Sequence, residues 1–160
     1  MKHLNAPGRM EYLTSKRQDG CVFCKHSDRE EPLVLFEGTS CALMLNKYPY
    51  NTGHLLVIPY RHISQVEDLS AEERLEMFHF MECSIKALKE AMGAEGFNVG
   101  MNVGKAAGAG VAGHLHLHIV PRWSGDTNFA TVVGDIRVIP QDVNETKALL
   151  LPCLKKHLEV

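Results

Sequence analysis

No stretch of this sequence is apolar for long enough to cross a bilayer, a task that takes roughly 20 residues in a helix. An excess of charge of either sign is also lacking: 17 Lys and Arg stand against 19 Asp and Glu, and there is no long basic run. Nucleic-acid binding driven by phosphate neutralisation is therefore not expected, although a local basic pocket for a phosphorylated small molecule is compatible with this balance. The polar stretch from Met1 to Gln18 has no apolar run, so no secretory signal is expected. Without one, five cysteines read as reduced thiols rather than a disulfide framework. There is no Walker loop, no dinucleotide fingerprint, no internal repeat and no low-complexity tract. What remains is a cytoplasmic chain of 160 residues, 45% hydrophobic, with enough length for one domain and a real core.

The informative stretch is His114, Leu115, His116, Leu117, His118, Ile119, Val120. On a β-strand alternate side chains share a face, so the three imidazoles fall together and the aliphatic residues face a core. The outer pair then stands roughly 13 Å apart, so neighbours can act on one substrate but all three cannot easily hold one metal. Half-buried imidazoles need hydrogen-bond partners, which makes them poor filler; the plain alternative is a solvated strand face. Near the start, Cys21 and Cys24 form a C-x-x-C pair followed by His26. By itself the pair reads as half a tetrahedral zinc site, a redox motif lacking its βαβ surroundings, or coincidence.

Short apolar runs at residues 33–37 and 41–46 predict a hairpin. A breaker-rich loop, Lys47 to Gly53, leads to a strand from His54 to Pro59, followed by Arg61 and His62. Ser70 with Glu73 is a capping box. Leu75, Phe78, Met81, Ile85, Leu88 and Met92 then recur at helical spacing, an apolar stripe for core or subunit contact, until Gly93 and Gly96 end the helix. His79 and Cys83 lie beside that stripe, and burial accounts for Cys41, Cys83 and Cys153. Residues 97–103 alternate as a strand. Residues 104–113 form a glycine-rich loop that lets backbone N–H groups approach an anion, or simply connects two strands. A further strand to Ile139 and a last helix opened by Asp142 and Glu145 complete an α+β chain on a mainly antiparallel sheet.

The histidine row, preceded by Gly53, His54, Leu55, Leu56, Val57, Ile58 and Pro59, resembles the histidine triad (HIT) family of nucleotide hydrolases and transferases. Asn46 and Asn102 also match family positions that bind nucleotide. The passage Pro121, Arg122, Trp123, Ser124, Gly125, Asp126, Thr127, Asn128, Phe129, together with residues 46–54, is similar to the diadenosine tetraphosphate phosphorylase-like branch. The resemblance implies a HIT-like fold of about five strands, one long helix and a C-terminal helix. The chain would be one such domain over residues 1–160: an irregular arm to residue 20, the motif region 21–123, and an extension from 124.

The same resemblance gives His116 the role of nucleophile, with His118 and His54 completing the catalytic group. A neutral imidazole attacks phosphorus through one ring nitrogen while the other is held as a donor. Nucleotide contacts would come from Asn46, Asn102, Lys105, Gly110, Arg122 and Trp123, the last stacking on a base or else capping the core. Asp126 and Asn128 are weaker candidates in a turn that needs no function. Residues 110–113 lack the hydroxyl that many relatives place before the triad, so backbone donors must stand in. The family also implies a structural Zn2+ held by Cys21, Cys24, His62 and His114, with His26 as a substitute ligand and no organic cofactor.

The leading expectation is cleavage of dinucleoside polyphosphates, above all phosphorolysis of diadenosine tetraphosphate to ADP and ATP, through a covalent nucleotidyl-histidine. Partners would be the small-molecule nucleotide, inorganic phosphate and a second copy in a homodimer. The rivals are nucleoside phosphoramidate hydrolysis, dinucleoside polyphosphate hydrolysis, a nucleotide-binding module with little turnover, and a zinc hydrolase, the last weakened by the absence of a carboxylate near the triad.

Overall fold

Ser70 starts the longest element, and it does so by the predicted exchange. Its hydroxyl accepts the Glu73 N–H at 3.1 Å, and the Glu73 carboxylate accepts the Ser70 N–H at 2.8 Å. Helix α1 then runs Ala71–Met92 and stops at Gly93, whose φ of 62° is the left-handed turn that favours glycine. The computed structural model describes residues 20–24, 33–127 and 141–158. The strand expected before Ile139, nearly all of the N-terminal arm, His26 and Asn128 lie outside the described residues.

Of the expected stripe on α1, Leu88 is fully buried and Met81, Ile85 and Met92 pack against the core, whereas Leu75 and Phe78 are 74% and 60% exposed; Met77, Phe80, Ser84 and Ala87 complete the buried face. The small side chains of Ser84 and Ala87, fully buried, let the helix approach the sheet closely. Glu73, at the buried start of the same face, is neutralised by Arg61 at 2.6 Å.

Five antiparallel strands form one sheet in the order β1-β2-β3-β5-β4. They are β1 Val34–Glu37, β2 Cys41–Leu45, β3 Leu55–Pro59, β4 Gly96–Gly100 and β5 Leu117–Arg122. Helix α2, Val143–Leu158, lies against α1, and Asp142 caps it by accepting the Asn144 N–H at 2.8 Å. Strands β2 and β3 are buried along their whole length, unlike strands with one wet face. Leu43, Leu45, Leu55 and Val57 join Met77, Phe80, Leu88, Leu150 and Leu154 in the main core. Met44, Leu56 and Ile58 form a second cluster on the opposite face, where Phe23 packs. Burying each large side chain stabilises the fold by roughly 1.5–3 kcal/mol.

The β1–β2 turn is fastened by one carboxylate. Glu76 accepts from the N–H groups of Thr39, Ser40 and Cys41 and from the Ser40 hydroxyl, all at 2.6–2.7 Å. Glycine is required at position 38, because a Cβ there would sit 2.5 Å from Glu76 Oε1 and 2.7 Å from Phe80 Cζ.

Candidate active site and metal centre

The ladder of β5 begins at Leu117, three residues after the start expected from the histidine row. The run still holds together, because Leu115 N–H donates to the Ile63 carbonyl at 2.7 Å and the His114 N–H closes a turn onto Val111 at 3.3 Å. His114, His116 and His118 are all buried, and the last two touch ring to ring at 4.7 Å. Because Leu115 is tied to Ile63, His62 arrives beside His114, with ring centroids 5.1 Å apart.

Backbone partners decide which nitrogen of each ring carries the proton. A carbonyl can only accept, so His116 Nδ1–H donates to the His114 carbonyl at 2.8 Å. That leaves His116 Nε2 with its lone pair. By the same reasoning His114 Nε2–H donates to the Pro59 carbonyl at 2.8 Å, and His114 Nδ1 is a lone-pair ligand. A backbone N–H can only donate, so Tyr50 N–H at 3.0 Å makes His54 Nδ1 an acceptor. His54 Nε2–H therefore donates to His118 Nδ1 at 2.9 Å. The remaining proton of a neutral His118 sits on Nε2, a buried atom with no partner among the described residues. A lone pair on His116 and a donor on its neighbour are thus set side by side.

Burial keeps both rings neutral. It lowers the pKa of His116 against a smaller opposing effect from the His114 carbonyl. Burial, and then repulsion from His116, push His118 down to about 4. Asn46 supports the arrangement: its Oδ1 accepts the Tyr48 N–H at 2.9 Å while its Nδ2 lies 3.3 Å from His54 Nδ1. Tyr50, from the breaker-rich loop before His54, lays its ring on His118 at 5.5 Å and 21° and on His54 at 4.6 Å. An aromatic residue shortly before a buried histidine was the available signal.

Cys21, Cys24, His62 and His114 converge, with one ligand atom from each inside a span of 4.8 Å. Cys24 Sγ lies 3.1 Å from His62 Nδ1 and 3.5 Å from His114 Nδ1, and Cys21 Sγ lies 3.3 Å from the latter. Metal–ligand distances of about 2.0–2.3 Å in a tetrahedron require ligand separations of this size, so the donor set fits a metal ion. His114 already presents its lone-pair nitrogen to the thiols, as a ligand must. Phe23, between the two cysteines, turns its ring onto His116 at 4.9 Å and His114 at 5.7 Å. An aromatic residue at the centre of the C-x-x-C pair was legible; its target was not.

Two expected nucleotide contacts are occupied elsewhere. Arg122 donates to both carboxylate oxygens of Asp126 at 2.6 Å, to Asn98 at 2.9 Å and to Thr127 at 3.0 Å, so its guanidinium braces the end of β5. This pairing holds the Asp126 carboxyl far below the ordinary range. Asn51 donates to the same carboxylate at 2.9 Å. Trp123 is half-buried against the main core and donates its indole N–H to the Met92 carbonyl at 3.1 Å, the core-capping position of its two expected roles. Asn102, Lys105 and Gly110 lie on the connection between β4 and β5 that delivers His114; Asn102 is half-buried and the other two are exposed.

Comparison with known proteins agrees with this geometry. The HIT domain family matches residues 29–125. An AP-4-A phosphorylase of Mycobacterium tuberculosis is 48% identical over 121 residues, 76% of this chain and 62% of that protein, so the match covers less than two thirds of the relative's length. An adenylylsulfatase of Arabidopsis thaliana is 32% identical over 94% of this chain and 75% of its own length. Among solved structures, a zinc-bound histidine triad family protein from Mycobacterium smegmatis superposes with a TM-score of 0.72 at 32% identity, covering 87% of this chain and 96% of that one.

Proposed function

This chain belongs to the HIT domain family, and we propose that it is a nucleotidyl-transferring enzyme that cleaves dinucleoside polyphosphates at an α-phosphate, with diadenosine tetraphosphate split by inorganic phosphate into ADP and ATP. The observation that carries the reading is the fixed pair of tautomers: a lone pair on His116 Nε2 beside an unpartnered N–H on His118 Nε2. The 48% identity to an AP-4-A phosphorylase favours this substrate class.

In the first step His116 Nε2 attacks the α-phosphorus, the bond to the bridging oxygen breaks, and ATP leaves with that electron pair. His118 Nε2–H stabilises the charge on the phosphoryl oxygens or protonates the leaving oxygen. In the second step a phosphate oxygen attacks the nucleotidyl-histidine, giving ADP and restoring the lone pair. Throughout, the His114 carbonyl keeps the His116 proton on Nδ1, away from the reacting nitrogen. The backbone donors of the glycine-rich loop before His114 supply the polar contacts that a hydroxyl makes elsewhere. Asn46 belongs to the nucleotide site, and Asn102, Lys105 and Gly110 complete it.

Zinc is the metal that two thiolates and two imidazoles suit. With all four positions filled by Cys21, Cys24, His62 and His114 it would serve the fold, and the residues around it do the chemistry. Leu75 and Phe78 give the exposed side of α1 an apolar face, which supports contact with a second copy. No helix among the described residues is long and apolar enough to cross a membrane, and none of the five cysteines is in a disulfide, in keeping with work in the cytoplasm.

The test is product analysis with diadenosine tetraphosphate, with and without inorganic phosphate. ADP and ATP appearing only with phosphate supports phosphorolysis; AMP and ATP at the same rate without it supports the hydrolase alternative. Turnover of adenosine phosphoramidate alone supports the phosphoramidase reading, and tight binding without products leaves a binding module.

A further inference from the structure

Phe23 sits where the metal centre and the nucleophile meet. The knuckle that carries it is a turn of residues 21–24, and its two thiols face His62 and His114. The ring itself lies half-buried over the second apolar cluster of Met44, Leu56 and Ile58, and tilts onto His116 with 55° between the planes. His118 closes on the same imidazole from a neighbouring position at 4.7 Å. Rotation about χ2 is soft for histidine, so one hydrogen bond through Nδ1 leaves the ring free to rock unless neighbours pack against its faces.

We propose that Phe23 is a positioning residue for His116, and that the Cys21/Cys24/His62/His114 centre sets the rate of nucleophilic attack by clamping this ring in place, as well as adding stability. The assignment rests on the reading of His116 as the nucleophile. Two links join the centre to that imidazole. His114 offers Nδ1 to the metal while its backbone carbonyl holds His116 Nδ1–H. The two cysteines bracket Phe23, so fixing both sulfurs on one ion fixes the ring between them. Thiol–imidazole contacts of 3.1–3.5 Å are weak without an ion, whereas metal–thiolate bonds make the knuckle rigid. A nucleophile misplaced by about 1 Å loses on the order of a hundredfold in rate. A phenyl ring against one face of the imidazole prevents such a displacement without touching the reacting atoms.

The experiment uses the metal-loaded full chain and its Phe23→Ala and Phe23→Tyr variants. For each it records metal content, the melting temperature, the His116 Nδ1–H proton resonance, the rate of covalent adduct formation on mixing with diadenosine tetraphosphate, and the affinity for a non-cleavable analogue of that nucleotide. Phe23→Ala should retain its metal and its fold, broaden or lose the resonance by exchange with water, and slow adduct formation roughly tenfold to a hundredfold with affinity unchanged. Phe23→Tyr should recover most of the rate. An unchanged resonance overturns the assignment whether or not the chain turns nucleotides over. So does an affinity that falls by the same factor as the rate, since Phe23 would then be contacting nucleotide. If the unsubstituted chain forms no adduct at all, the enzymatic reading fails by itself, and the resonance still decides whether Phe23 holds His116.

Discussion

His54 Nε2 lies 2.9 Å from His118 Nδ1, and this contact leaves the proton of a neutral His118 on Nε2. The instruction begins at the Tyr50 N–H, passes through the His54 ring and ends at His118 Nε2. Replacing His54 with Gln keeps a donor within reach of His118, whereas Leu removes it. The expected result is that His54→Leu loses roughly tenfold to a hundredfold more kcat than His54→Gln. Steady-state kinetics on the two variants check this, and equal losses would count against the relay.

His116→Ala removes the attacking lone pair. Turnover should fall by at least roughly a thousandfold while the affinity for a non-cleavable nucleotide stays within a few-fold. Calorimetric titration alongside product assays separates the two quantities.

Burial also makes the histidines visible in stability. The folded pKa of His118, pushed down to about 4, lies below the ordinary value of about 6.5. As pH falls between those values the unfolded chain takes up a proton that the folded chain refuses. Stability is therefore fully present above about pH 6.5 and drops towards pH 4, by at most roughly 1.4 kcal/mol per pH unit for this one group. His116, lowered for the same reason, acts in the same direction. Denaturant midpoints at several pH values should fall across this window, less steeply in a His118→Gln variant.

Glu76 ties the β1–β2 turn to α1 through four hydrogen bonds. Glu76→Ala leaves three backbone N–H groups without that acceptor and should cost about 2 kcal/mol or more, seen as a lower melting temperature.

Metal analysis should find one zinc per chain, displaced along with structure when Cys24 is changed to Ser or a strong chelator is added. Melting temperature and metal content should fall together, since a closed four-ligand site contributes folding energy. Immediate loss of activity in a fully folded, chelated protein would point instead to a metal in the chemistry.

What could be read from the chain alone was mostly what neighbours in sequence decide. Ser70 and Glu73 announce a helix start, Gly93 announces its end, and alternation places the imidazoles in one row even though the ladder opens only at Leu117. The C-x-x-C pair marks Cys21 and Cys24 as half of a possible metal site, but only family resemblance adds His62 and His114, since no local pattern links them to the pair. Helical spacing alone does not separate the buried Leu88 from the exposed Leu75 and Phe78; the packing of α2 and the sheet against one side of α1 decides that. The partners of Arg122 and Trp123, Asp126 and the Met92 carbonyl, are not legible in the sequence, because they become neighbours only once the sheet and helix are assembled. Phe23 and Tyr50 escaped notice for the same reason: both act by ring contact across the fold.

The most direct test of the account is mass spectrometry on the protein quenched at intervals after mixing with diadenosine tetraphosphate without inorganic phosphate. The account predicts an adenylyl group on the peptide carrying His116, bonded to nitrogen, acid-labile, and discharged to ADP when phosphate is added. An adduct on a different residue, or products formed with no adduct at any quench time, would contradict it.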